Sequence, residues 1–335
     1  MSQPTETPAP PTDEAVHRLV DVPGGRIHLV EQGSGPLVLL VHGFPESWYS
    51  WRHQLPALAA AGYRAVAIDV RGYGRSSKPR DVDAYRMLAH VADNVGVVRA
   101  LGEETATVVG HDWGSPIASS SALLRPDVFT AAALLGVPYA PRGGGRPTEL
   151  FAQFGGAAEF SMSYFQAPGR AESEIEPDVR GWLAGYYAAL SGDTAPSDGD
   201  GSLFFVTPGA RMRDRFPGDV RPAWLTEADL DVYAGEFERS GLTGALNRYR
   251  NIDRDWEDLA AWDGAPLSQP SLFIGGERDA SIVWLADAIK AFPATLPGLV
   301  SSHIIEGCGH WVQQERADEV NRLLVDWLTT VHRNA

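Results

Sequence analysis

The most constraining feature of the sequence is the segment GHDWG at residues 110–114, in which an acidic residue stands between two glycines. It follows a short β-branched run (TATVVG, residues 105–110) and precedes a run of small and apolar residues (SPIASSSALL, residues 115–124) that is typical of a buried helix. A strand that turns sharply into a helix through a G-x-Nu-x-G segment is the setting of a nucleophile elbow. The segment therefore predicts a strand, a tight turn that presents Asp112, and a helix.

Aspartate at the nucleophile position changes the reaction that the site can complete. A serine that attacked a saturated carbon would leave an ether, which water does not cleave. A carboxylate is ionised at neutral pH, can displace a leaving group from an sp3 carbon, and leaves an ester whose carbonyl water can attack. Asp112 therefore points to an alkyl electrophile. The alternative is that Asp112 only caps the helix, but glycines on both sides favour catalysis.

Composition excludes several classes of function. The net charge of −15 provides no basic surface for nucleic acid or an anionic membrane. No apolar run is long enough to span a membrane, and the polar, proline-rich start lacks the regions of a secretory signal. We expect a cytoplasmic protein with a disordered tail at residues 1–15. The single cysteine, Cys308, excludes an intrachain disulfide, and the histidine spacing predicts no metal site.

Strand-like and helix-like segments alternate along most of the chain, which is typical of βαβ units around a parallel sheet. The predicted strands are residues 26–32, 36–41, 63–69, 105–110, 131–135, 271–275 and 300–305, and the first two are expected to pair. The predicted helices are residues 51–61, 85–101, 115–124, 282–291 and 317–331. The alternation stops near residue 137 and resumes near residue 270. The intervening residues predict a mostly helical insertion with a mobile loop within residues 191–202.

Three groups capable of nucleophilic catalysis follow predicted strands in the order nucleophile, acid, histidine. Asp112 follows the strand at residues 105–110, Asp279 follows the strand at residues 271–275, and His310 follows the strand at residues 300–305. That chain order is the one used by α/β-hydrolases. Because the carboxyl ends of parallel strands lie at one edge of the sheet, we expect the three side chains to meet there.

With these residues the chain resembles the epoxide hydrolases of the α/β-hydrolase fold, of the bacterial soluble type related to the C-terminal domain of the mammalian soluble enzyme. The resemblance runs from about residue 20 to the C-terminus. It is carried by the elbow and by the motifs HGFPESW (residues 42–48), DVRGYGRS (69–76), YFQAPG (164–169) with Glu172, NRYRN (247–251) and GHW (309–311).

The resemblance implies an α/β fold with a mostly parallel eight-stranded sheet, helices on both of its faces, and a mainly helical cap inserted before the last two strands. The expected hydrolase core comprises residues 16–137 and 264–335, and the expected cap comprises residues 138–263.

The resemblance also implies the catalytic roles. Asp112 would attack an epoxide carbon, and the phenols of Tyr164 and Tyr249 would protonate the ring oxygen as the ring opens. The product of this first half is a glycol ester on Asp112. His310, oriented by Asp279, would then activate a water molecule to hydrolyse the ester.

The remaining implied residues surround the reacting groups. The backbone N–H groups of Phe44 and Trp113 would form the oxyanion hole, and Pro45, Trp48 and Trp311 would contribute to substrate binding. The implied partners are water and a small lipophilic epoxide. No cofactor, metal or nucleic acid is implied, and a homodimer is left open.

Two alternatives remain at this stage. A haloalkane dehalogenase uses the same nucleophile and histidine and binds halide through side-chain N–H donors. Trp113 could supply one donor, but Phe44 occupies the position where a second is usual. A ligand-binding protein on a hydrolase fold is the other alternative, and three catalytic groups in the required order argue against it.

Overall fold

The computed structural model describes residues 14–154, 156–194, 202–216, 218 and 220–333. Most of the predicted disordered tail, and residues 195–201 of the predicted mobile loop, lie outside the described residues. Within the described ranges, no helix is both long and apolar enough to cross a membrane.

Of the ten strands within the described residues, eight form a single sheet in the order β1-β2-β4-β3-β5-β6-β9-β10, and β7 pairs with β8 in a small second sheet. The strands are β1 (Val16–Val22), β2 (Gly25–Gln32), β3 (Leu37–Val41), β4 (Arg64–Ile68), β5 (Ala106–His111), β6 (Phe129–Leu135), β7 (Glu159–Phe160), β8 (Phe205–Val206), β9 (Ser271–Gly276) and β10 (Leu299–Ile305). In the large sheet β2 is antiparallel to β1 and β4, and the other pairs are parallel. The predicted mostly parallel eight-stranded sheet is confirmed.

Helices flank the sheet and fill the insertion between β6 and β9. Those outside the insertion are α1 (Gln54–Ala60), α2 (Met87–Ala100), α3 (Gly114–Leu124), α11 (Ala280–Trp284), α12 (Ala286–Lys290), α13 (Phe292–Thr295), α14 (Val312–Glu315) and α15 (Ala317–Arg333). Those of the insertion are α4 (Pro147–Phe151), α5 (Ser161–Tyr164), α6 (Arg170–Ile175), α7 (Val179–Ala189), α8 (Glu227–Ser240), α9 (Thr243–Tyr249) and α10 (Ile252–Asp258). The insertion is therefore mainly helical, as predicted.

The central strand β3 shows why the sheet is covered on both faces. All five of its side chains are buried. Leu37, Leu39 and Val41 join the apolar cluster on one face, and Val38 and Leu40 join the cluster on the other. Alternate side chains of a strand point to opposite faces, so a continuous apolar run is stable only between two layers of helices. Helix α15 supplies part of one layer through a buried stripe at helical spacing: Val320, Leu323, Leu324, Trp327 and Leu328.

Three details of the prediction were wrong. β2 and β3 are not neighbours, because β4 lies between them in the sheet. β1 was not predicted, since it is an edge strand with only Val20 buried and so lacks a strong apolar pattern. The single helix predicted at residues 282–291 is divided into α11 and α12, which meet at Leu285.

Candidate active site

Asp112 lies in the turn between β5 and α3, and its backbone adopts a conformation that is rare for residues other than glycine. Its φ is +51°, in the left-handed region, which costs a non-glycine residue about 1–2 kcal/mol. The flanking glycines permit the turn: a Cβ on Gly110 would lie 2.0 Å from the carbonyl oxygen of Gly114, and a Cβ on Gly114 would lie 1.9 Å from that of Val41. The elbow is therefore a strained and tightly packed turn.

The Asp112 carboxylate contacts two groups from other parts of the chain. Its Oδ1 atom accepts a hydrogen bond of 2.7 Å from the backbone N–H of Phe44, and its Oδ2 atom lies 3.3 Å from Nε2 of His310. The N-cap residue of α3 is Trp113, and no side chain caps this helix. The side chain of Asp112 therefore does not cap α3, contrary to the alternative interpretation of this residue.

His310 and Asp279 form a buried pair next to Asp112. Nδ1 of His310 lies 2.8 Å from Oδ2 of Asp279, whose other oxygen accepts from the N–H of Ser281 at 2.9 Å. Burial alone would lower the pKa of His310, but the negative charges of Asp279 and Asp112 outweigh burial and hold this pKa well above its ordinary value. Burial would raise the pKa of Asp279, but His310 and the Ser281 N–H hold it below its ordinary value.

The loop at residues 42–46, which we call the oxyanion loop, is held in place by Glu46. This buried carboxylate accepts hydrogen bonds from the N–H of Gly43 at 2.9 Å and from Gln313 at 2.9 Å, and its Oε2 atom lies 2.8 Å from Nδ1 of His111. Burial would raise the pKa of Glu46, but its histidine and backbone partners lower it to about 2. His111 in turn contacts the carbonyl oxygen of His310 at 2.8 Å, so Glu46 connects the oxyanion loop, the elbow and the histidine loop.

A cavity of about 830 Å³ opens over the Asp112 carboxylate, between the sheet and the insertion. Asp112, Asp279 and His310 lie on its wall, together with Tyr186 and Tyr249. Apart from the triad, its described lining residues carry no charged side chain. Most are apolar or aromatic: Trp113, Pro116, Val137, Phe151, Phe154, Phe160, Met162, Phe165, Leu190, Phe204, Phe205, Trp284 and Leu285.

Comparison with known proteins identifies the family. The sequence matches the alpha/beta hydrolase fold family over residues 36–317. It is 46% identical to epoxide hydrolase B of Mycobacterium tuberculosis, with 93% of this chain and 98% of that protein covered. The fold matches the structure of an epoxide hydrolase from an endophytic Streptomyces at a TM-score of 0.94 and 77% identity, with 95% of this chain and 96% of that chain covered. The chain belongs to the epoxide hydrolase family.

The predicted similarity to the mammalian soluble enzyme is also found. The chain is 36% identical to bifunctional epoxide hydrolase 2 of Sus scrofa, with 93% of this chain and 55% of that longer protein covered. The prediction of an epoxide hydrolase with the α/β-hydrolase fold is confirmed, and the proteins named in these comparisons are epoxide hydrolases rather than haloalkane dehalogenases.

Residues of the two cap motifs of this epoxide hydrolase bond to one another around Tyr249. Arg250 forms an ion pair with both carboxylate oxygens of Glu172, at 2.8 and 3.0 Å, and donates to the carbonyl oxygen of Phe165 at 3.1 Å. Gln166 donates to the carbonyl oxygen of Tyr249 at 2.9 Å. These buried contacts tie α6, the segment after α5 and the end of α9 together, and they fix the backbone that carries Tyr249.

The structure does not bring Tyr164 to the reacting groups. Its hydroxyl donates to Glu174, and the Arg170 guanidinium lies 3.5 Å from the centre of its ring. It is 1% exposed and is not part of the cavity wall. The tyrosine that begins the YFQAPG motif therefore packs within the cap, and the role predicted for Tyr164 is not supported by its position.

The three predicted substrate-binding residues also lie off the cavity wall. The ring of Trp48 packs edge-on against His17 at 5.0 Å. The carbonyl oxygen of Pro45 accepts from the hydroxyl of Tyr187 at 2.5 Å. Trp311 is fully buried behind His310 and donates to the carbonyl oxygen of Tyr187 at 3.0 Å. These residues support the loops around the site instead of contacting the cavity.

The predicted oxyanion donors and an aromatic mouth complete the surroundings of Asp112. The N–H of Phe44 already faces Asp112, and Trp113 is the N-cap residue of α3, at the end of the helix where backbone N–H groups have no partner within the helix. At the mouth, Phe160 packs on Trp284 at 5.5 Å and on Phe205 at 5.2 Å. The aromatic mouth was not predicted, because Phe160, Phe205 and Trp284 are distant from one another in the sequence. Tyr186 was not predicted because no flanking motif marks it, and Glu46 lies in the HGFPESW motif but was given no role.

Proposed function

We propose that this enzyme hydrolyses an uncharged, lipophilic epoxide to a vicinal diol through a covalent ester on Asp112. The observation that carries the proposal is the pair of contacts to the Asp112 carboxylate, 2.7 Å from the Phe44 N–H and 3.3 Å from His310 Nε2. The first contact is suited to the oxyanion of ester hydrolysis, and the second is suited to a base that acts on water beside the same carbon.

In the first half-reaction a carboxylate oxygen of Asp112 attacks an epoxide carbon, and the carbon–oxygen bond of the ring breaks. The oxygen that leaves is a strongly basic alkoxide, so it requires a proton. Tyr249 lies on the cavity wall. Burial, together with the neighbouring Tyr186 and Asp112, raises the pKa of its phenol well above the ordinary value near 10. Tyr249 therefore holds its proton until the alkoxide forms.

In the second half-reaction His310 removes a proton from water, which attacks the carbonyl carbon of the Asp112 ester. Esterification removes the negative charge that faces Nε2 of His310 in the free enzyme. Since that charge helps to hold the pKa of His310 high, its loss lowers this pKa and favours the neutral, basic imidazole when water must be activated. The oxyanion is stabilised by the N–H groups of Phe44 and Trp113, and each such donor is typically worth about 10²–10³-fold in turnover.

The cavity supports a lipophilic substrate. Its volume of about 830 Å³ lies within the usual range for small-molecule sites. Its described wall offers apolar and aromatic surface around the triad and no lysine or arginine side chain to bind an acidic substrate. An aryl or branched alkyl substituent on the epoxide would pack among the rings of Phe160, Phe205 and Trp284 at the mouth.

The test is to replace His310 by glutamine and to look for the trapped ester. Incubation of His310→Gln with styrene oxide is expected to add the mass of the epoxide to the peptide that contains Asp112, because alkylation proceeds and hydrolysis does not. His303→Gln, the same change on β10 away from the cavity, is the matched control and should accumulate no ester. Absence of the adduct in His310→Gln, in a folded protein, would contradict the covalent route.

A further inference from the structure

Few tyrosines line the cavity. The chain has ten tyrosines, all within the described residues. Six of them bond protein groups through their hydroxyls: Tyr49, Tyr85, Tyr139, Tyr164, Tyr187 and Tyr233. Tyr63 and Tyr73 do not line the cavity. The cavity wall therefore contains two tyrosines, Tyr186 and Tyr249.

Tyr186 is held in place by aromatic packing. It lies on α7, which the sequence motifs of the cap do not include, and it is 6% exposed. Its ring packs on Trp182 at 4.9 Å, on Phe216 at 4.8 Å and on Trp311 at 6.1 Å. No hydrogen bond from its hydroxyl to another group of the described chain is found, although the residue faces the cavity.

Both phenol rings contact the same residue of the oxyanion loop, Phe44. The ring of Phe44 makes edge-on contacts with Tyr186 at 6.0 Å and with Tyr249 at 5.3 Å. The backbone N–H of the same Phe44 bonds the Asp112 carboxylate. Both tyrosines are therefore anchored to the element that positions the nucleophile, and both face the space above it.

We propose that Tyr186 is a catalytic residue that, with Tyr249, binds and protonates the epoxide oxygen. This proposal rests on the proposed function and changes the assignment that the sequence made, because the second phenol comes from α7 and not from the motif that contains Tyr164. An epoxide oxygen has two lone pairs, so it can accept a hydrogen bond from each phenol while a carboxylate oxygen of Asp112 approaches the ring carbon from the opposite side.

The proton balance closes over the two half-reactions. As the new carbon–oxygen bond to Asp112 forms and the ring bond breaks, one phenol transfers its proton to the alkoxide and becomes a phenolate, which the other phenol stabilises by a hydrogen bond. When water cleaves the ester, Asp112 returns as a carboxylic acid and releases a proton, which restores the phenol. The net reaction is epoxide plus water to diol, with no other reactant.

The electrostatic surroundings of Tyr186 favour the protonated phenol in the free enzyme. Burial, together with the charges of Asp112 and Asp279, raises the pKa of Tyr186 well above its ordinary value near 10. The phenol is consequently neutral in the free enzyme, and its proton becomes transferable only when a stronger base, the alkoxide, is formed beside it.

The experiment measures the single-turnover rate of Asp112 alkylation in Tyr186→Phe, Tyr249→Phe and Tyr164→Phe. General-acid assistance is worth roughly 10²–10⁴-fold in all, so loss of Tyr186 with Tyr249 present is expected to slow alkylation about 10- to 100-fold. Tyr164→Phe, whose hydroxyl bonds Glu174 within the cap, is the matched control and should alkylate at the wild-type rate. Hydrolysis of the ester, once formed, should be nearly unchanged in Tyr186→Phe.

Two further measurements separate proton donation from a loss of packing. The rate loss in Tyr186→Phe should be smaller for trifluoromethyl oxirane than for methyl oxirane, because the fluorinated alkoxide is less basic and needs the proton less. If Tyr186→Phe does not fold, replacement by 3,5-difluorotyrosine keeps the ring and lowers the pKa of the phenol. Alkylation should then decline at a lower pH than in the wild type.

Wild-type alkylation rates in Tyr186→Phe, or the same rate loss for both oxiranes, would overturn the assignment of Tyr186. A folded difluorotyrosine variant with an unchanged pH profile would overturn it as well. These outcomes differ from failure of the proposed function, in which His310→Gln would trap no ester at all.

Discussion

Replacement of Glu46 by glutamine is expected to destabilise the fold in a pH-dependent way. The buried carboxylate accepts hydrogen bonds from Gly43 and Gln313 and contacts His111 through its Oε2 atom. Glutamine has nearly the same shape but only one acceptor oxygen. Whichever way its amide is turned, an NH₂ group meets another donor, so at least one buried donor loses its acceptor.

The expected loss of stability follows from the pKa of Glu46. This pKa falls from its ordinary 4.5 to about 2 in the folded protein, and 1.36 kcal/mol per pH unit converts the difference to about 3 kcal/mol of stability at neutral pH. Because the folded-state pKa is the lower one, the stabilisation is fully present above about pH 4.5 and is lost as the pH falls toward about 2. Removal of one partner from a buried ion pair costs a similar amount, about 3–5 kcal/mol.

Urea unfolding at several pH values measures how much the substitution lowers the free energy of unfolding. Glu46→Gln should be less stable than the wild type by about 3 kcal/mol near pH 7, and the difference should narrow as the pH falls below about 4.5. Glu103→Gln is the control, because its partly exposed ion pair with Arg64 at 3.1 Å should contribute at most about 1 kcal/mol. If the difference in free energy of unfolding between the wild type and Glu46→Gln stays constant with pH, the ionised Glu46 carboxylate is not the source of the stabilisation.

Three other substitutions test separate parts of the site. A Cβ on Gly43 would lie 2.3 Å from Oδ1 of Asp112, so Gly43→Ala should displace the nucleophile and slow single-turnover alkylation by about 10²-fold. Trp284→Ala removes a ring from the cavity mouth and, in steady-state kinetics, should raise the KM for styrene oxide about 10-fold more than the KM for methyl oxirane. Glu172→Gln breaks the buried pair with Arg250 and should lower the free energy of unfolding by about 3–5 kcal/mol, measured in urea.

The parts of the site that the sequence predicts well are those set by the order of strands. Asp112, Asp279 and His310 each follow a strand of the sheet, and parallel strands bring their carboxyl ends to one edge, so chain order alone places the three side chains together. The sharp turn at Asp112 was predictable for a similar reason, since glycines on both sides of a residue between a strand and a helix leave few conformations.

The cap could not be predicted to the same depth, because its side chains are oriented by contacts between segments that are distant in sequence. Tyr164 lies in a four-residue helix, and whether it faces the cavity depends on Glu174 and Arg170, which hold it elsewhere. Tyr186 carries no flanking motif, and only the packing of α7 against Phe44 reveals its position. Periodicity similarly gave the positions of β2 and β3 but not the insertion of β4 between them.

The source of the oxygen in the first turnover decides whether Asp112 forms a covalent ester with the substrate. With enzyme in excess over epoxide in heavy-oxygen water, the first diol should contain no label, because its new oxygen comes from the Asp112 carboxylate. The label should instead appear in Asp112 and reach the diol in later turnovers. First-turnover diol that carries the heavy oxygen would mean that water attacks the epoxide directly, and the covalent role of Asp112 would be contradicted.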